Sequence, residues 1–206
     1  TTRKVTLNMM IEHSKSVRLG ISKSLMIVDM PYNTYRSKSE ALKNCKKVMK
    51  ETKCDGVKLE GGKKIKNIIE HLGKNKIPVL GHLGILPQSV RGKFKSKGKS
   101  LRERNQLMRD AKILENTGVF AIVLECVESS LSKTITKEIK IPTIGIGSSN
   151  NCDGQILVTD DILGLTDSKI KFVKKFVDVK KLVAKGAKKF NTEVKSKKYP
   201  SKKYSY

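Results

Sequence analysis

Six short apolar runs are spaced along the chain and predict β-strands. They span 24–29, 56–60, 77–82, 119–125, 141–147 and 155–160. Most of the gaps between them repeat apolar residues at the 3.6-residue spacing of an amphipathic helix. Helices are predicted at 6–19, 37–51 and 100–118, with one or two more within 169–194. Strands that alternate with helices indicate βαβ units, so the predicted fold class is α/β with a parallel sheet.

The helix predicted at 100–118 has clear start and stop signals. Ser100 and Glu103 have the spacing of a capping box, and Gly118 is the residue type that most often ends a helix. The preceding stretch, 84–100, is rich in glycine and lysine and predicts a long loop after the third strand. Such a loop is either a lid over a catalytic site or a simple mobile connection.

Titratable side chains stand at the end of five of the six predicted strands. The strands end at Asp29, Glu60, His82, Glu125, Gly147 and Asp160, and Lys58 lies two positions before Glu60. Taken alone, the stretch VKLEGGKK (57–64) fits a structural ion pair equally well, because Lys58 and Glu60 point to the same face of the strand. The carboxyl ends of parallel strands, however, are where α/β folds place their catalytic groups. The recurrence favours an active site in which Glu60 is a ligand of a hard cation such as Mg²⁺.

Composition permits one domain with a core and argues against specific nucleic-acid binding. The chain has 206 residues and is 37% hydrophobic. Residues 1–190 are predicted to form the catalytic domain and residues 191–206 a polar, lysine-rich tail. The net charge is +25, but 37 of the 44 basic residues are lysines and only 5% of the chain is aromatic. We therefore expect only non-specific, salt-sensitive binding of polyanions.

Cysteine usage and hydropathy predict a soluble protein of the cytoplasm. The four cysteines form no CxxC pair, which fits a reducing compartment. No apolar run approaches the roughly 18 residues of a membrane span, and no charged-then-apolar leader opens the chain. The expectation is a protein with no membrane segment and an unprocessed N-terminus.

Five motifs, in order, resemble the 3-methyl-2-oxobutanoate (ketopantoate) hydroxymethyltransferase family. They are VDMPY (28–32), VKLEGG (57–62), GHLGILPQSV (81–90), LECV (124–127) and IPTIGIGSSNNCDGQILVTDD (141–161). The resemblance implies a Mg²⁺-dependent (β/α)₈ TIM barrel of pantothenate and coenzyme A biosynthesis. Such an enzyme moves a one-carbon unit from 5,10-methylenetetrahydrofolate to 3-methyl-2-oxobutanoate, giving 2-dehydropantoate and tetrahydrofolate. It also implies a homo-oligomer, because bacterial members of the family assemble as decamers.

The resemblance also implies a role for each residue at the strand ends. Asp29 and Glu60 would bind the metal, with Asp29 close to the substrate as well. Lys58 would pair with the oxo acid, and His82 would hydrogen-bond the substrate or its water. Glu125 would be the catalytic acid/base that handles the proton.

The chain departs from the family pattern at its start. Members of the family have two further strands ahead of the helix that begins near Val5 here, so only strands 3 to 8 of the barrel are expected. An Asp-Ser pair that contacts metal and substrate in the family has no counterpart in this sequence. The expectation is a fragment of a longer protein or a truncated product. Two alternatives to the family reaction stay open: another Mg²⁺-enolate aldolase or lyase, and an inactive remnant with an assembly or polyanion-binding role.

Overall fold

Within residues 2–89 and 95–206, which the computed structural model describes, six parallel strands follow one another in chain order across one sheet that curls into a half-barrel. The strands are β1 (Ile27–Asp29), β2 (Gly56–Glu60), β3 (Val79–Gly84), β4 (Ala121–Glu125), β5 (Thr143–Ile146) and β6 (Gly154–Gln155). The helices are α1 (Leu7–Gly20), α2 (Lys38–Thr52), α3 (Lys66–Lys74), α4 (Leu101–Asn116), α5 (Ser129–Glu138), α6 (Thr159–Ile162) and α7 (Val179–Lys195). Short 3-10 helices cover Thr2–Lys4, Lys63–Ile65 and Lys202–Tyr204.

The outer face of the sheet packs against helices and forms the main core. Val57, Leu59 and Leu124 point to this face and are fully buried. They belong to one apolar cluster with residues of α2, α3 and α5, among them Val48 and Leu72. Because parallel strands are joined by crossover helices, the outer-facing positions of the strands are continuously apolar.

The inner face of the sheet changes from apolar to polar along β3 and β4. Leu80 and Val123 are buried on this face but lie outside the main apolar cluster. Two residues further along the same strands, His82 and Glu125 occupy the same face, because strand side chains alternate with period two. The charged residues therefore collect on the inner face at the carboxyl end of the sheet.

The predicted helices and most of the predicted strands are confirmed, to within a few residues at their ends. The helix predicted at 100–118 is α4, whose first turn is capped as expected: Ser100 Oγ accepts a hydrogen bond from Glu103 N at 3.2 Å. Gly118 follows the helix with φ of +83°, a conformation that glycine adopts without steric cost. The α/β class with a parallel sheet is confirmed. The closed eight-stranded barrel remains a prediction.

The last predicted strand is wrong over most of its length. It was expected at 155–160, but β6 ends at Gln155, and Asp160 lies in the short helix α6. Asp160 and Asp161 occupy the first turn of that helix, where negative side chains are favoured by the helix dipole. Asp160 therefore does not extend the row of titratable residues at the strand ends.

The chain divides into two compact units, Thr1–Ile156 and Leu157–Tyr206. The first contains the whole sheet and α1 to α5, and the second contains α6 and α7. Helix α7 ends at Lys195, four residues after residue 191, the predicted start of the polar tail. Across the described part of the chain, no helix has the length and apolar character needed to span a bilayer.

Replacing Gly84 with alanine should strongly destabilise the carboxyl end of β3. Gly84 has φ of +98°, and an added Cβ would lie 2.1 Å from the carbonyl oxygen of Glu125. We expect a loss of about 2–5 kcal/mol in the free energy of unfolding, measured by chemical denaturation, from backbone strain and overpacking together.

Gly118→Ala is the matched control for this prediction. Gly118 also has a positive φ, +83°, but an added Cβ would meet nothing within 4 Å. The loss in the free energy of unfolding for Gly118→Ala should come from backbone strain alone, about 1–2 kcal/mol. Equal losses in the two variants would contradict the close approach of Gly84 to β4.

Candidate active site

The register of the sheet brings the candidate residues into one row at the carboxyl ends of β1 to β4. Asp29 pairs with Lys58, and Glu60 pairs with His82. Glu125 ends β4 opposite Gly84, two positions beyond His82. Paired positions of parallel strands point to the same face, so these side chains all project from the inner face.

Direct contacts connect four of these side chains across four strands. Lys58 Nζ lies 3.2 Å from Asp29 Oδ2 and 3.3 Å from His82 Nδ1. On the other side of the imidazole, His82 Nε2 lies 3.3 Å from Glu125 Oε2. Four of the five sequence-predicted residues, all except Glu60, therefore form one continuous polar chain, although their catalytic roles stay predictions.

His82 is the buried centre of this chain. Its side chain is only 1% exposed, and burial lowers the pKa of the imidazole, which keeps it neutral at neutral pH. The ammonium of Lys58 can only donate, so Nδ1 accepts and Nε2 carries the proton. Nε2 lies 3.3 Å from Glu125 Oε2 but makes no hydrogen bond with any described residue. A buried donor of this kind indicates a place for a ligand oxygen.

The exposure of the other members increases away from the imidazole. The side chain of Lys58 is 15% exposed, that of Glu125 is 20% exposed and that of Asp29 is 48% exposed. A partly desolvated lysine strengthens its interaction with an anion, because the local dielectric constant is lower than that of water. The arrangement can hold a small anionic molecule between Lys58, His82 and the carboxylates.

Glu60 carries an abnormal pKa. Burial, the largest cause, acts with the nearby carboxylates of Asp29 and Glu125 to raise the pKa of its carboxyl group to about 7. A hydrogen bond from Gln88 N to Glu60 Oε2, 3.1 Å long, and the charge of Lys58 act in the opposite direction. Added positive charge near Glu60 would therefore favour the ionised form of its carboxyl group.

Tyr35 and Gln88 touch this site and were not predicted as site residues from the sequence. The Tyr35 hydroxyl donates to Gln88 Oε1 at 3.1 Å and accepts from Glu60 N at 3.4 Å. Burial raises the pKa of Tyr35 to about 12, so its hydroxyl stays protonated. Gln88 belongs to the motif at 81–90, but neither charge nor periodicity distinguishes a neutral amide in a loop. The motif was the one signal that could have found it.

The donor set of the site fits Mg²⁺. Asp29 and Glu60 offer hard carboxylate oxygens, and Mg²⁺ commonly takes one or two protein carboxylates while keeping several waters. The pKa of Glu60 is raised chiefly by burial, so a bound cation would favour its ionised form. Among residues 2–89 and 95–206, no group of three or more His, Cys, Asp or Glu side chains is arranged to hold a metal by itself. A cation here would therefore depend on water and substrate for its remaining ligands.

A cavity of about 910 Å³ adjoins the row of charged residues at Glu60. Tyr32 and Tyr35 supply aromatic walls, and Lys63 and Asp110 supply charged ones. The loop predicted as a lid, 84–100, follows β3 along the chain, and its residues Leu86 and Ser89 line this cavity. Its residues 90–94 lie outside the described residues, so the lid stays a prediction.

A parallel α/β half-barrel with acid, base and cationic groups at the carboxyl ends of its strands has the arrangement of the barrel-type enzymes. The chain belongs to the ketopantoate hydroxymethyltransferase family, whose model matches residues 1–202. This confirms the resemblance that the five motifs indicated.

Comparisons with individual proteins agree with this membership. The chain is 61% identical over 206 residues to the 3-methyl-2-oxobutanoate hydroxymethyltransferase of Pelagibacter ubique, covering all of this chain and 80% of that protein. It is 43% identical over 210 residues to the protein of the same name from Rhizobium etli, covering 77% of that protein. A solved structure of a candidate phosphonomutase from Burkholderia cenocepacia is similar in fold alone, with a TM-score of 0.52, 9% identity, and coverage of 70% of this chain and 62% of that one.

Proposed function

We propose that this chain transfers a one-carbon unit to 3-methyl-2-oxobutanoate, giving 2-dehydropantoate for pantothenate and coenzyme A biosynthesis. The observation that carries the proposal is the row of contacts from Asp29 through Lys58 and His82 to Glu125. The names of the relatives, which are 61% and 43% identical and cover the whole chain, supply the substrate. The row offers what a 2-oxo acid needs: a cation, a buried donor and a base.

Lys58 and His82 would hold the oxo acid. The carboxylate of the substrate would pair with the ammonium of Lys58, which is held between Asp29 and His82. The unpartnered Nε2–H of His82 would donate to a substrate oxygen, where negative charge develops when the enolate forms. Both groups lie on neighbouring strands, so their positions are fixed by the sheet.

Glu125 would remove the proton from C3 of the substrate. The C3–H bond breaks, its electrons enter the enolate, and the proton is held by the carboxylate of Glu125. C3 then forms a bond to the one-carbon unit, water supplies the oxygen of the hydroxymethyl group, and tetrahydrofolate leaves. Glu125 is suited to this role because it is partly desolvated and 3.3 Å from His82.

Mg²⁺ is proposed as the cofactor, with Asp29 and Glu60 as its protein ligands. When bound, Mg²⁺ would polarise the keto oxygen and acidify the adjacent C–H. The high pKa of Glu60 supports this assignment, because a cation would stabilise the ionised carboxylate. Enzyme activity that depends on Mg²⁺ is therefore part of the proposal.

The donor 5,10-methylenetetrahydrofolate is proposed to approach through the cavity beside Glu60. The cavity volume, about 910 Å³, is ample for an extended aromatic molecule. Tyr32 and Tyr35 offer aromatic contact area, and Lys63 offers a positive charge for an anionic tail.

Three broader features belong to the same proposal. The six strands would be strands 3 to 8 of an eight-stranded barrel, since β1 and β6 each have a partner on one side only within the described residues. The protein would form homo-oligomers, because Leu182, Val183 and Phe190 of α7 are all more than half exposed. A cytoplasmic location fits four cysteines that are all unpaired.

The test combines two measurements on the wild-type chain with Mg²⁺. Deuterium exchange at C3 of 3-methyl-2-oxobutanoate reports enolate formation, and 2-dehydropantoate formation with 5,10-methylenetetrahydrofolate reports transfer. We expect both. Exchange without donor-dependent product would favour a different enolate aldolase or lyase, and the absence of both would favour the inactive-remnant alternative.

A further inference from the structure

Glu60, Tyr35 and Gln88 form a closed ring of hydrogen bonds. Glu60 N donates to the Tyr35 hydroxyl at 3.4 Å, and that hydroxyl donates to Gln88 Oε1 at 3.1 Å. Gln88 N closes the ring by donating a hydrogen bond to Glu60 Oε2 at 3.1 Å. The ring joins three separate segments of the chain: the end of β2, the loop after β1 and the loop after β3.

A further hydrogen bond ties the ring to the end of β1. Gln88 Nε2 donates to the carbonyl oxygen of Met30 at 2.9 Å, immediately after Asp29. Gln88 is only 9% exposed, so its amide is committed to these internal partners. Its side chain therefore connects the loop after β3 to the segment after β1, while its backbone N–H connects the same loop to Glu60 at the end of β2.

The ring restricts one oxygen of Glu60 and leaves the other available. Oε2 accepts from Gln88 N, whereas Oε1 accepts no hydrogen bond within the described residues. A carboxylate with one fixed oxygen has lost most of its rotational freedom. Such preorganisation favours binding, because less conformational entropy is lost when the second oxygen meets a cation.

We propose that Tyr35 and Gln88 are positioning residues that hold the carboxylate of Glu60 in the orientation that binds a divalent cation. This inference rests on the proposed function for the identity of the cation site. It goes further in assigning a role to two residues that make no direct contribution of charge to the site.

The experiment measures Mn²⁺ binding to the full chain by electron paramagnetic resonance, without substrate. Tyr35→Phe removes the hydroxyl and opens the ring while keeping the aromatic wall. Because outer-shell partners of metal ligands typically contribute about 10–100-fold to affinity, we expect Tyr35→Phe and Gln88→Ala each to weaken Mn²⁺ binding by about 10-fold or more. Tyr32→Phe removes a hydroxyl from the wall of the same cavity without opening the ring, and its affinity should stay within about 2-fold of wild type.

A double-mutant cycle separates positioning from a general loss of structure. If both residues act through one ring, the Tyr35→Phe/Gln88→Ala variant should bind Mn²⁺ little worse than either single variant. Additive losses, unchanged affinity in Tyr35→Phe, or a wild-type protein that does not bind Mn²⁺ would overturn the inference.

Turnover distinguishes this inference from the proposed function. A wild-type chain that forms 2-dehydropantoate while Tyr35→Phe keeps its Mn²⁺ affinity would overturn the inference alone. A wild-type chain that binds Mn²⁺ through the ring but does not form product would overturn the proposed function alone. A thermal unfolding midpoint near that of wild type shows that each variant is folded when it is measured.

Discussion

Replacing Glu125 with glutamine should lower kcat by about 10²–10⁴-fold, the usual contribution of a positioned general base. Glutamine keeps the size of the side chain at the end of β4, but it cannot accept a proton from carbon. Its amide can still lie near His82 Nε2, which is 3.3 Å from Glu125 Oε2 in the wild-type protein. Mn²⁺ affinity should stay near the wild-type value, because Glu125 is not one of the proposed metal ligands. The measurement is C3 deuterium exchange of 3-methyl-2-oxobutanoate together with 2-dehydropantoate formation.

Glu128→Gln is the matched control, three residues further along the chain. Glu128 caps α5, and hydrogen bonds from Ser130 hold the pKa of its carboxyl group near 2. Its loss should cost about 0.5–2 kcal/mol of stability and leave kcat within about 2-fold of wild type. Full turnover by Glu125→Gln would remove Glu125 from the role of base.

For the proposed reaction, Glu125 is a better candidate for the base than His82. Burial lowers the pKa of His82, and its Nδ1 is already occupied by Lys58 Nζ at 3.3 Å. Nε2 carries the proton and can only donate, so the imidazole is suited to bind a developing negative charge. Glu125 has one carboxylate oxygen beside this donor, and its side chain is partly exposed. It can therefore accept a proton from a substrate whose oxygen is bound by His82 Nε2.

Much of the fold and the row of charged residues could be predicted because both depend on local pattern. Buried parallel strands must be apolar on the helix-covered face, so runs such as GVKLE (56–60) identify β2 directly. Once strands are parallel, their carboxyl ends meet at one edge. Lys58, His82 and Glu125 were therefore expected at the same edge, and the register places them on the same face of the sheet.

The remaining features depend on contacts that a sequence pattern does not encode. Asp160 follows an apolar run, as Glu125 does, but two successive aspartates there begin a helix instead of ending a strand. Gln88 acts through an amide in a loop, and its partners Tyr35 and Met30 are more than 50 residues away along the chain. Periodicity has no means of detecting such a contact.

Glu60→Gln should abolish the stabilisation of the protein by Mg²⁺ and remove the contribution of this residue to the pH dependence of stability in the metal-free chain. The pKa of Glu60 is about 7 in the folded protein, above its ordinary value of 4.5. The folded state therefore binds the proton more tightly than the unfolded state, and the metal-free protein loses stability as pH rises between these two values. Glutamine cannot ionise, so metal-free Glu60→Gln should be more stable than wild type at about pH 8 and nearly equal to it below about pH 4.5.

At high pH, Mg²⁺ should make wild type more stable than Glu60→Gln, the reverse of the order expected without metal. Wild type gains stability by binding the cation through an ionised Glu60. The variant lacks that ligand, and its affinity for Mg²⁺ should be at least about 100-fold lower. Thermal unfolding at about pH 5 and about pH 8, with and without Mg²⁺, measures both effects. Glu70→Gln is the control, because Glu70 is 40% exposed on α3 and pairs with Lys66 at 3.6 Å, away from the site. An equal rise in unfolding midpoint with Mg²⁺ in wild type and Glu60→Gln would show that the cation binds elsewhere.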